Sequence, residues 1–143
     1  MSFINIAPFQ FCLLKCVFIQ ESFHTFASIS ISNLKLLIDK MSVLIGIADP
    51  NLVSSNDIRK YLIEGGLHPA DLFPELFFED SPESALTYEW SLTFGEIFSF
   101  LNDEQLHASS IKWDFGETLT SGIRIWIDIL FIDQANDSAF VFG

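Results

Sequence analysis

One segment, residues 123–133, is apolar along almost the whole of both of its faces. Its odd-numbered positions are isoleucine from 123 to 129 and phenylalanine at 131, and its even-numbered positions include Trp126, Leu130 and Ile132. Successive side chains of a strand point to opposite faces of the sheet, so both faces of this segment need to be covered. That requirement is typical of a central strand in a parallel sheet with helices on both sides. The segment therefore predicts an α/β fold.

Two further strands are predicted before this segment. Residues 42–48 form a short apolar run that ends in a turn signal, and residues 85–90 are rich in residue types that favour strands. Residues 27–31 alternate small and apolar side chains as a strand does, and residues 34–38 fit one or two helical turns.

Helices are predicted between the strands. One helix follows the possible N-caps at residues 54–57 and is ended by Gly65 and Gly66. The next begins at Thr93, which has the spacing of a capping box with Glu96. Alternating strands and helices predict a doubly wound parallel sheet of the flavodoxin type. The chain stops ten residues after Asp133, so we expect the sheet to be incomplete at its C-terminus.

Charge and composition divide the chain at residue 41. Residues 1–40 hold three lysines, two acids and both cysteines, whereas residues 41–143 hold four cations and seventeen acids. We predict an N-terminal appendage over residues 1–40 and a partial α/β domain over residues 41–143. The net charge of −12 leaves few cations for a nucleic-acid backbone or an anionic membrane, so neither is an expected partner.

No motif for a cofactor, metal or membrane span is found in the sequence. The apolar stretch of residues 3–19 is interrupted too often for a signal peptide or a spanning helix. Cys12 and Cys16 have no further ligands at zinc spacing, and no glycine-rich phosphate loop occurs. The chain is therefore expected to be cytoplasmic, with reduced cysteines and without a metal or a cofactor.

Asp128 is the first candidate site residue, because an acid in an apolar strand is costly to bury without a partner. It is either a structural acid, paired with Arg124 or with backbone N–H groups, or a catalytic group at the carboxyl edge of the sheet, where ligands bind in this architecture. Asp133 and Gln134 follow the same strand and are candidate ligand-binding residues, although both are also ordinary loop residues.

Tyr88, Glu89 and Trp90 end the second predicted strand near the same edge. The two aromatic residues either stack on a ligand or pack in the core. Glu89 is a candidate general acid or base, because flanking aromatic rings can desolvate a carboxylate. The alternative is that Glu89 faces water.

Two segments resemble heterokaryon-incompatibility (HET) domains. Residues 84–91, Ser-Ala-Leu-Thr-Tyr-Glu-Trp-Ser, resemble the ALSYxWG strand of that family. Residues 125–134, Ile-Trp-Ile-Asp-Ile-Leu-Phe-Ile-Asp-Gln, resemble its lWIDalCIDQ strand. The two segments occur in the family's order, with Trp126 36 positions after Trp90. Ser91 replaces the family's glycine, and Phe131 replaces its cysteine.

HET domains are associated with nonself recognition and programmed cell death, and their fold is similar to that of TIR domains. The resemblance implies a signalling or interaction domain that acts through protein partners or self-association. Some TIR domains cleave NAD with a catalytic glutamate, so a second expectation is an NAD-hydrolysing enzyme that uses Glu89 or Asp128. A third is a truncated fragment without a function of its own.

Overall fold

The computed structural model of this chain describes residues 2–5 by their backbone, and residues 25–101 and 123–132 in full. Its strands are β1 Ser2–Asn5, β2 Ser28–Ser30, β3 Phe77–Phe78, β4 Ser84–Thr87 and β5 Arg124–Ile127. Its helices are α1 Ile31–Ile45, α2 Ser55–Ile63, α3 Pro69–Leu72, α4 Phe94–Leu101 and α5 Asp128–Phe131. Short 3-10 turns cover Pro50–Leu52 and Pro74–Leu76.

The strands form one sheet in the order β1-β4-β5-β2-β3. β1, β4 and β5 are parallel to one another, whereas β2 is antiparallel to both β5 and β3. The mixed α/β class and the central position of β5 are thus confirmed. The described sheet is mixed rather than wholly parallel, because β2 enters beside β5 from the opposite direction and leads directly into α1.

Helix α1 corrects the predicted strand over residues 42–48. Ser30 caps the start of α1 by accepting a hydrogen bond from the Asn33 backbone N–H, and Gly46 ends it with a φ of 91°. The apolar residues after Met41 are the last turn of this helix, and two of them, Val43 and Leu44, are exposed on its outer side. The predicted boundary at residue 41 lies inside α1, so residues 31–40 pack in the same core as the residues that follow.

The capping signals predicted the other long helices correctly. At α2, Ser54 and Asp57 form a reciprocal capping box, and Gly65 follows the helix with a φ of 98°. At α4, the Thr93 backbone N–H donates to Glu96 Oε1 at 3.0 Å, and the Glu96 N–H donates to Thr93 Oγ1 at 3.2 Å. These bonds satisfy backbone donors that the first turn of a helix leaves open.

Both predicted site strands are shorter than expected. β4 ends at Thr87, so Tyr88, Glu89 and Trp90 lie in the connection that follows it. β5 ends at Ile127, and Asp128 begins the single-turn helix α5. No helix within the described ranges is long and apolar enough to cross a membrane.

Gly95, in the first turn of α4, marks a close approach between two segments. A Cβ atom at this position would lie 2.8 Å from both the carbonyl oxygen and the Cβ atom of Asn51. The Phe94 backbone N–H donates to the Val53 carbonyl oxygen at 2.7 Å beside this approach. Glycine therefore lets α4 pack directly on the Pro50–Leu52 turn, which precedes α2.

Candidate functional site

The carboxyl ends of β4 and β5 bring several candidate residues together. These strands are parallel neighbours, with Leu86 paired to Ile127. Side chains just beyond the two strand ends therefore meet at one edge of the sheet. We call the group of Ser55, Tyr88, Trp90 and Asp128 the carboxyl-edge cluster.

Asp128 is only 2 % exposed and is held by a tryptophan. Trp90 Nε1 donates to both carboxylate oxygens of Asp128, at 3.1 and 3.2 Å. The indole N–H thus replaces part of the water that a buried carboxylate loses, as burial of a charge requires. Because Asp128 starts α5 instead of continuing β5, it does not share a strand face with Arg124, whose guanidinium carbon lies 5.6 Å from the centre of the Phe78 ring.

Tyr88 is 1 % exposed, and its hydroxyl is hydrogen-bonded to that of Ser55 on α2. Burial raises the pKa of Tyr88 well above its ordinary value of 10.0, and the negative charge of Asp128 raises it further. The hydrogen bond with Ser55 opposes this shift. The phenol is therefore neutral under physiological conditions and ties α2 to the end of β4.

Replacing Tyr88 by phenylalanine is expected to remove part of the alkaline loss of stability. Above pH 10.0 an unfolded Tyr88 ionises while the buried one keeps its proton, so the stability of the native protein falls as pH rises. Tyr88→Phe removes this contribution and costs about 1 kcal/mol at neutral pH, because the bond to Ser55 is lost. Urea unfolding at several values between pH 8 and 11 measures both effects, and identical pH dependence in the two proteins would contradict the expectation.

Glu89 takes a different position from its neighbours. It is exposed, and its Oε1 accepts a hydrogen bond from Ser91 Oγ at 3.1 Å. Tyr88 and Trp90 flank it in sequence, but their rings do not exclude water from it. Glu89 therefore faces water, which was one of the two alternatives for this residue. Asp133 and Gln134 lie outside the described residues.

His68 also contributes to this edge of the sheet, through a contact with α5. Its Nδ1 accepts a hydrogen bond from the Ala70 backbone N–H at 2.9 Å, which caps α3. The ring hydrogen is then on Nε2, which donates to the Leu130 carbonyl oxygen at 2.8 Å. The signal for the cap was present in the sequence, since Pro69 directly after His68 is typical of the first position of a helix.

A second polar region lies away from the cluster, at the start of α4. An open groove of about 630 Å³ is lined there by Asn51, Leu52, Thr93, Gly95, Glu96, Ser99 and Phe100. Hydrogen bonds from the backbone and the side chain of Thr93 lower the pKa of Glu96 below its ordinary value. Glu96 is therefore an ionised helix cap, whose Oε1 accepts hydrogen bonds from both the backbone N–H and the hydroxyl of Thr93.

The buried side chains of the carboxyl-edge cluster are hydrogen-bonded to one another across α2, the end of β4 and α5. Asp128 and Tyr88 are almost completely buried, and each has a hydrogen-bonding partner within the cluster. In the described part of the chain, no three His, Cys, Asp or Glu side chains come together as a metal-binding group. The cluster thus holds α2, β4 and α5 in place at the edge of the sheet.

Comparison with known proteins adds no relative. No protein-family model, curated protein or solved structure matches this chain.

Proposed function

We propose that this chain is a HET/TIR-like signalling or interaction domain that acts through protein–protein contacts, by self-association or with other protein partners. Two things support the proposal: the sequence resemblance over residues 84–91 and 125–134, and the nature of the exposed surface. The first supplies the class of function, and the second supplies a means of contact.

The outer face of α1 is the observation that carries the proposal. A surface helix normally buries one apolar face and presents polar residues on the other. In α1 the buried face holds Leu34, Leu37 and Met41, yet Leu36 is 50 % exposed and Val43 is 80 % exposed. The two residues are seven positions apart and therefore lie on the same outer face, which is the pattern of a helix that contacts protein on both sides.

The carboxyl-edge cluster supports an interaction domain over an enzyme. Its acid is bound by an indole N–H, and its phenol is bound by a serine hydroxyl. A general acid or base needs access to the proton it transfers. The buried positions of Asp128 and Tyr88 give little such access.

Sedimentation equilibrium of the purified full chain tests the proposal. We expect the mean mass to rise with concentration in the micromolar range, and Val43→Lys to abolish this rise, because a charge replaces an exposed apolar contact. Asn56→Lys adds the same charge to an exposed position of α2 and is the matched control. If Val43→Lys associates as the wild type does, the outer face of α1 has no role in self-association.

One observation favours the alternative of a nucleotide-hydrolysing enzyme. Glu89 is exposed next to the carboxyl end of β4, the side of an α/β sheet where ligands bind. An NAD-consumption assay on the full chain, with Glu89→Gln and Asp128→Asn as variants, distinguishes the two proposals. Turnover that disappears in Glu89→Gln would favour the enzyme, and absence of turnover in the wild type excludes it. Turnover that persists in both variants excludes an enzyme that uses Glu89 or Asp128.

A further inference from the structure

We infer that the outer face of α1 binds a second copy of this chain, with the two α1 helices parallel around a twofold axis. The inference rests on the proposed function and specifies its partner and its geometry. It follows from the positions of four exposed residues on one helix, Leu36, Asp39, Lys40 and Val43.

The outer face has an apolar centre and oppositely charged flanks. Each helical residue turns by about 100°, so Leu36 and Val43 point in nearly the same direction. Asp39 lies on one side of this direction and Lys40 lies on the other, halfway along the helix between the two apolar residues. The face is therefore a short apolar line with one charge of each sign beside it.

Twofold symmetry turns these flanks into complementary pairs only when the helices are parallel. In a parallel pair, each flank faces the opposite flank of the other helix, so Asp39 faces the partner's Lys40, and Lys40 faces the partner's Asp39. The apolar residues then meet their own equivalents across the axis. In an antiparallel pair, Asp39 would face the partner's Asp39 and the contact would be repulsive.

Contact through α1 brings together less like charge than the chain carries as a whole. The whole chain carries −12, so two copies repel each other on average. Helix α1 holds Lys35 and Lys40 against Asp39 alone, which gives it a net charge of +1. Both lysines contact aromatic rings of their own chain, with Lys40 Nζ 5.2 Å from the centre of the Phe73 ring and Lys35 Nζ 5.4 Å from that of Phe98.

Charge reversal tests the pairing. Asp39→Lys and Lys40→Asp each replace two attractive contacts per dimer by two repulsive ones, and each is expected to weaken the dimer roughly tenfold at low salt. The double variant, Asp39→Lys with Lys40→Asp, restores opposite charges across the axis and is expected to return to the wild-type dissociation constant. Sedimentation equilibrium at 50 and 500 mM salt measures all four proteins, and circular dichroism checks that each is folded.

The outcomes separate this inference from the proposed function. Weakening in both single variants with recovery in the double variant supports the parallel pair. If the chain self-associates through Val43 but both single reversals leave the dimer unchanged, the parallel geometry is wrong while the interaction function stands. If the wild-type chain stays monomeric up to about 100 μM, any dissociation constant is above that of most specific protein complexes. A second copy is then not the occupant of this face.

Discussion

Replacing Trp90 by phenylalanine is expected to lower the free energy of unfolding by about 2–4 kcal/mol. The indole N–H of Trp90 donates to both oxygens of Asp128, which is 2 % exposed. Phenylalanine keeps most of the ring but removes the donor, so the carboxylate is left in the interior with less compensation for its lost water. Urea unfolding followed by circular dichroism measures the change.

A double-mutant cycle with Asp128→Asn identifies the cause of that loss. If the indole acts mainly on the buried charge, Trp90→Phe costs less in the Asp128→Asn background than in the wild type, with a coupling of about 1–3 kcal/mol. Additive costs would show that Trp90 contributes only by packing. The N–H group of Trp90 would then have no measurable part in holding Asp128 at the sheet edge.

Replacing Gly95 by alanine is expected to destabilise the protein by about 1–3 kcal/mol, although alanine is the better helix former. The new Cβ would lie 2.8 Å from the Asn51 carbonyl oxygen, and this oxygen belongs to the backbone and cannot rotate away. Helix α4 therefore has to move from the turn that it packs against. Thermal unfolding detects the change as a lower Tm.

Ser99→Ala is the matched control for Gly95→Ala. Ser99 is an exposed residue of the same helix, so its replacement tests helix propensity without a steric contact. We expect this variant to be as stable as the wild type or slightly more stable. Equal stability of both alanine variants would contradict the close approach between α4 and Asn51.

Elements with local signals were predicted well from the sequence. The helix start within residues 54–57, the capping box at Thr93 and the glycine after α2 are properties of four or five neighbouring residues, and the structure has each of them. The central position of β5 followed from its apolar character on both faces. These signals are contained in short segments and do not depend on what the rest of the chain does.

The errors concern information that no short segment contains. Residues 42–45 have strand-forming side chains, but Met41 and the residues before it already form a helix, and the last turn continues it. The direction of β2 depends on which way the chain has to run in order to enter α1. The contact of His68 with the Leu130 carbonyl spans 62 residues, so only the folded chain places them together.

The candidate site was predicted as a location but not as a set of contacts. Tyr88, Trp90 and Asp128 do meet, because parallel neighbours end at one edge. Their partners were missed, since Ser55 belongs to α2 and Trp90 binds Asp128 from the connection after β4. Whether these residues act on a ligand stays a prediction.

The continuity of α1 across Met41 determines what a shorter translation product would be. A chain begun at Met41 lacks β1, β2 and the first ten residues of α1. The backbone groups of β5 that pair with Ile29 and Ser30 would then be exposed at a sheet edge. Such an edge is a template for intermolecular strand pairing, so that product is expected to aggregate.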